Sequence, residues 1–85
     1  MFTKALAVEW GDRNVRVNCL CPGFIDTALA RDFQTSVRQY AIPATPLRRY
    51  GSGVDIKGVA AFLASDASMF VTGQLVMVDG GFSAN

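Results

Sequence analysis

The chain has 85 residues, so it is at most one small domain. Apolar residues make up 51% and charged residues 18%, a balance built to bury surface rather than to stay unfolded. The net charge is +1 and the one basic cluster is Arg48-Arg49 with Arg38 upstream, which argues against a nucleic-acid partner. Histidine is absent and the two cysteines stand as Cys19-x-Cys21, a spacing that suits neither a redox pair nor a zinc knuckle. The expectation is two reduced, buried thiols and no metal site. No apolar run reaches the length of a membrane span, and Met1 to Ala7 lacks a basic flank, so no membrane or signal segment is expected and the cytoplasm is the default location.

Taken in chain order, residues 2–11 read as a helix. Phe2, Leu6 and Trp10 recur at i, i+4 and i+8, with Ala5 and Val8 widening the stripe and Gly11 as the terminator. Asp12-Arg13-Asn14 is a turn. Residues 15–21 switch to period 2, which predicts a strand with Val15, Val17, Cys19 and Cys21 on one face. Pro22 stops it because a proline nitrogen has no hydrogen to donate. Asn18, on the opposite face, is expected to bond an adjacent loop, and Arg16 to be a solvated strand end.

Pro22-Gly23 then forms a glycine-floored loop at the carboxyl end of that strand, where ligands bind in open α/β sheets. Thr27 stands four residues after Gly23, at a predicted helix start, where free N–H groups face anions. The plain alternative for Pro22-Gly23 is a strand terminator, and for Thr27 an N-cap, with Asp26 competing for that place. Residues 24–53 are less regular. A turn or two of helix is expected over 28–33 and another over 36–40, with Pro43 and Pro46 bracketing a loop and Gly51-Ser52-Gly53 breaking the chain. Phe33, Tyr40, Ile42 and Leu47 fit either a pocket lining or ordinary packing.

Residues 54–64 are an amphipathic helix with Ile56, Val59, Ala60 and Leu63 on its stripe and Phe62 beside it. Ser52-x-x-Asp55 resembles a capping box. Leu75 to Val78 reads as a buried strand, ended by Asp79-Gly80-Gly81. Helix, strand, loop with short helices, helix and strand predict an α/β fold in which residues 15–78 hold two parallel strands joined by a right-handed crossover.

These residues together resemble the short-chain dehydrogenase/reductase family. The markers are Thr3-Lys4-Ala5-Leu6-Ala7-Val8-Glu9-Trp10, Arg16-Val17-Asn18 leading to Pro22-Gly23 and Thr27, Thr45-Pro46-Leu47-Arg48-Arg49, Asp55-Ile56, Phe62-Leu63-Ala64-Ser65-Asp66, and Thr72-Gly73-Gln74 closing on Val78-Asp79-Gly80-Gly81. The likeness is to the C-terminal part of a Rossmann-type, doubly wound parallel sheet. It implies hydride transfer between NAD or NADP and an alcohol or carbonyl. It implies cofactor contact at Pro22, Gly23, Ile25 and Thr27, with Ile25 offering backbone groups to the carboxamide. Residues 1–27 would carry the cofactor-facing loop, 28–53 a substrate lid, and 54–85 the last helix, last strand and tail. Helix 54–64 and strand 75–78 resemble the family's subunit-pairing surface, so a homo-oligomer is expected.

The family's Tyr-x-x-x-Lys and glycine-rich dinucleotide loop do not occur in these residues. Lys4 has no preceding Tyr, and neither Tyr40 nor Tyr50 has a Lys four residues on. The expectation is therefore a catalytically incomplete, C-terminal portion of such an oxidoreductase, from a truncated reading frame or a downstream start, with no catalytic residue of its own and weak cofactor binding at best. The rival expectation is a non-catalytic oligomerisation module derived from the same family.

Overall fold

The computed structural model describes residues 2–27 and 35–85. Its elements are α1 (Phe2–Trp10), β1 (Cys19–Pro22), α2 (Thr35–Ala44), α3 (Gly53–Ala64) and β2 (Leu75–Val78), with single 3-10 turns at Gly11–Arg13, Asp66–Ser68 and Phe82–Ala84. β1 and β2 pair in parallel with Cys19 opposite Leu75 and Pro22 opposite Val78. The parallel pairing is the one the sequence predicts.

α1 ends one residue before Gly11. The left-handed conformation that closes the following turn falls on Asn14 (φ 60°), whose N–H bonds to the Gly11 carbonyl at 3.1 Å. Asparagine tolerates that region better than most residues, so the glycine is not needed there.

β1 is shorter than its alternation suggests. Residues 15–18 lie outside the regular ladder, and side chains take over part of the pairing there. Val17 N–H donates to Thr72 Oγ1 (3.0 Å), Asn18 Oδ1 accepts from Gln74 N–H (3.1 Å) and Asn18 Nδ2 donates to the Val71 carbonyl (3.0 Å). Regular laddering then takes over, with Cys19 N–H on the Gln74 carbonyl at 2.8 Å. Asn18 thus bonds the neighbouring loop as expected.

Arg16 corrects the sequence reading. It is half-buried and its guanidinium donates to the carbonyls of Leu63 (3.0 Å), Ser65 (3.3 Å), Ser68 (2.9 Å) and Val71 (3.4 Å) and to Ser68 Oγ (2.9 Å). The last carbonyls of a helix lack intrahelical partners and carry partial negative charge, so a cation there is favoured. Alternation along the strand gave no sign of this, because the acceptors lie about fifty residues away.

α2 is a single ten-residue helix with Pro43 in its last turn, where the sequence suggested a short turn and a proline-bracketed loop. A proline this late costs one bond, that of the Gln39 carbonyl, and Gln39 is exposed to water. Thr45 closes the end, donating its N–H and Oγ1 to the Ala41 carbonyl at 3.0 and 2.7 Å. The turn expected over 28–33 lies outside the described residues.

α3 starts where the capping box predicts. Asp55 accepts from Ser52 N–H at 2.7 Å and from Ser52 Oγ at 3.2 Å. Ile56, Val59 and Leu63 are half-buried, but no residue of α3 is fully buried. Among the described residues the only fully buried apolar side chains are Ala7 and Ala41. The radius of gyration is 15.4 Å, against about 12 Å for a compact chain of this length. No described helix is long and apolar enough to cross a membrane.

Candidate functional site

Because β1 and β2 are parallel, their carboxyl ends lie at one edge, and the chain leaving each strand meets there. Gly23 N–H donates to the Val78 carbonyl at 3.0 Å. A Cβ placed on Gly23 would sit 2.7 Å from the Asp79 Cβ and 2.8 Å from its Cα. Glycine is therefore required here for the close approach of the two strand exits.

Beyond Gly23 the chain pairs once more. Gly51 N–H donates to the Phe24 carbonyl (2.9 Å) and Asp26 N–H to the Gly51 carbonyl (2.8 Å), forming a parallel bridge between Ile25 and Gly51. This bridge uses Phe24 and Asp26, so Ile25's own N–H and C=O point to the opposite side. A donor and an acceptor side by side on one extended residue suit a planar amide. A Cβ on Gly51 would meet Ile25 Cδ1 at 2.7 Å, so the tip of that side chain would have to turn aside.

Phe24 is the residue that sequence reasoning missed. Its ring sits edge-on to Phe82 (centroids 5.2 Å, 87°) and Tyr40 (6.5 Å, 84°) and tilted against Tyr50 (6.0 Å). It joins the β1 exit to α2, to the loop before α3 and to the tail. Arg38 lies 4.3 Å over the Tyr50 ring and reaches Asp26 at 3.4 Å. Aromatic residues scattered over almost sixty positions carry no periodic signal, which is why the cluster was invisible in the sequence.

A cleft of about 450 Å³ opens beside this cluster, lined by Phe24, Ile25, Leu47, Arg49, Met77 and Val78, among others. Of the four predicted cofactor contacts only Ile25 lines it. Pro22 is exposed at the end of β1, Gly23 packs on Asp79, and Thr27 is exposed at the edge of the described segment. Of the side chains read as pocket or packing, Leu47 lines the cleft, Tyr40 packs on Phe24, and Phe33 lies outside the described residues.

Two carboxylates border the cleft. Arg49 donates to both oxygens of Asp55 (2.9 and 3.1 Å) and, with the Ser52 N–H, holds that carboxyl well below the usual range. Asp79 is lowered by the Ser83 hydroxyl first, then by the Ser83 and Gly81 N–H groups, each 3.0 Å from a carboxylate oxygen. Both stay ionised acceptors at neutral pH. No described side chain of the cleft is poised to exchange a proton near neutrality.

Residues 1–83 match the family model described as Enoyl-(Acyl carrier protein) reductase. The 3-oxoacyl-[acyl-carrier-protein] reductase FabG of Chlamydia trachomatis serovar D is 44% identical over 82 residues, covering 96% of this chain and 33% of that protein. The chain belongs to the short-chain dehydrogenase/reductase family.

Solved structures superpose closely. A short-chain type dehydrogenase/reductase from Mycobacterium ulcerans gives a TM-score of 0.92 at 38% identity, over 99% of this chain and 31% of that one. A 4-hydroxyisoleucine dehydrogenase complexed with NADH gives 0.90 at 32% identity, over 99% of this chain and 35% of that one. The two strands and their flanking helices are thus part of a Rossmann-type α/β sheet. The chain spans about a third of the length of the curated relatives it matches. Short-chain dehydrogenase/reductases are NAD(P)-dependent oxidoreductases, which is the coarse function the resemblance implied.

Proposed function

We propose that these residues form the nicotinamide-facing rim of an NAD(P)-dependent oxidoreductase acting on an alcohol or carbonyl. The observation that carries this is Ile25, whose N–H and C=O face away from Gly51 at the carboxyl edge of two parallel strands. Bound there, the cofactor would supply the hydride. Ile25 would hold the carboxamide by its backbone, Pro22 and Gly23 would form the wall beside the ring, and Thr27 would offer its hydroxyl. The segment 28–53 would close over substrate. The 85 residues hold no Tyr-x-x-x-Lys and no glycine-rich loop, so the acid/base and the phosphate cradle come from outside them and the chain alone does not turn over.

The test is the purified chain with NADH or NADPH and a panel of ketones. No carbonyl-dependent oxidation is expected. Turnover above the protein-free rate would overturn the reading. Cofactor fluorescence should change weakly, and Ile25→Pro, which deletes the N–H, should abolish that change.

A second reading, a non-catalytic oligomerisation module, has its own support. α3 and β2 expose large apolar side chains: Val54 is 81% exposed, Phe62 45% and Met77 50%. A parallel pair of strands normally needs cover on both faces. Light scattering should report an oligomer at micromolar concentration; a stable monomer would count against this reading.

A further inference from the structure

The two thiols are not the buried pair that the sequence suggests. Cys19 and Cys21 are both half-buried, on the same face of β1, with their sulfurs 3.6 Å apart in a thiol–thiol contact. The strand holds them there, because their backbones are locked in register against Leu75 and Met77.

That separation decides what they can do. Residues i and i+2 of a parallel strand have Cα atoms about 6.6 Å apart. This is near the upper limit for a disulfide, about 6.8 Å, so direct S–S closure requires the strand to bend. Two sulfurs bound at about 2.3 Å to one tetrahedral or pyramidal centre would be roughly 3.4–3.8 Å apart, a range that contains the spacing found. A bridging atom therefore fits where a direct bond does not. Among the described residues no cluster of three or more His, Cys, Asp or Glu side chains exists, so the pair does not complete a structural zinc site. It suits a soft centre that two thiolates satisfy. Met77, opposite Cys21 in the ladder and half exposed, adds a polarizable thioether to the same face.

We propose that Cys19 and Cys21 form a bidentate dithiol site for a soft, thiophilic centre of the trivalent-arsenic class. With an aryl arsenoxide, two As–S bonds form and the arsenic–oxygen bond breaks. The two thiol protons leave with that oxygen as water, and no atom changes oxidation state. The Cys19 contact raises the Cys21 thiol above its ordinary range, so the Cys21 proton is in place to leave with that oxygen.

The test uses phenylarsine oxide on the reduced chain. One equivalent should be captured, should resist a large excess of monothiol and should be released by a dithiol competitor. Cys19→Ser and Cys21→Ser should each weaken capture by roughly 10²-fold, the gain expected of a second, intramolecular bond. Capture should also raise the thermal midpoint of the wild-type chain, because the native strand holds the sulfurs together. Release by monothiol, or retention of full capture in either serine variant, would overturn the site. So would an unchanged or lowered midpoint, which would assign capture to the unfolded chain whether or not the variants fold.

Discussion

Gly23 and Asp79 touch backbone to side chain at the point where both strands end. With a Cβ on Gly23 only 2.7 Å from that of Asp79, there is no space for a larger residue. Gly23→Ala must therefore push β1 and β2 apart at their carboxyl ends. Overpacking of this kind costs about 1–3 kcal/mol. Urea denaturation should show the midpoint falling. The proposed cofactor wall and the strand junction are then tested separately, since a purely ligand-facing glycine would leave stability unchanged.

Arg16 ties the sheet to α3 through five acceptors on Leu63, Ser65, Ser68 and Val71. Ser68 is 1% exposed, so its groups have little access to replacement water. Arg16→Ala should destabilise the chain by roughly 2–3 kcal/mol, the scale of charged hydrogen bonds with buried partners. Arg16→Lys should recover little, because one ammonium cannot reproduce the planar fork. Thermal unfolding of both variants checks the difference.

What the sequence made legible follows from where each signal lies. α3, its capping box at Ser52 and Asp55, and the apolar run of β2 are local patterns, and each stands where expected. The β1 alternation over 15–18 was misleading because Asn18 and Thr72 replace backbone pairing with side-chain bonds. Pro43 reads as a break in the sequence because proline is usually one; near a helix end it costs a single exposed bond. At the site, the resemblance points to Ile25, which lines the cleft. Phe24 and Arg49 give no signal in the sequence, since their partners lie far away or outside any repeating pattern.

Asp55 makes acid stability a test of the loop before α3. Arg49 and the Ser52 N–H stabilise its ionised form, so its pKa in the folded chain lies below that of the unfolded chain. The stabilisation is present above the unfolded value, about 3.9, and is lost as pH falls from there toward the folded value. Asp79 is shifted in the same direction and adds to the same limb. The midpoint of unfolding should drop as pH falls below about 4. Asp55→Asn keeps an acceptor for Ser52 but cannot titrate, so it should flatten that drop, whereas Lys57→Gln, which takes no part in holding Asp55 ionised, should leave it intact. Circular dichroism melts across the acid range read both.

Phe24 holds four parts of the chain together through ring contacts with Tyr40, Tyr50 and Phe82. Each such pair contributes about 0.5–1.5 kcal/mol beyond area burial. Phe24→Ala should therefore cost roughly 2–4 kcal/mol, and Phe24→Leu less, because leucine fills volume without offering a ring edge. The loss should be uneven. α3 is anchored by Arg16 and β2 by its pairing with β1, so both should keep their far-ultraviolet signal, while the near-ultraviolet signal of Tyr40 and Tyr50 should collapse. Amide exchange should quicken around Gly51 and Ser83 and stay slow at Cys19 and Val76. If exchange instead quickened equally at all four, the aromatic cluster and the strand pair would be one cooperative unit rather than two.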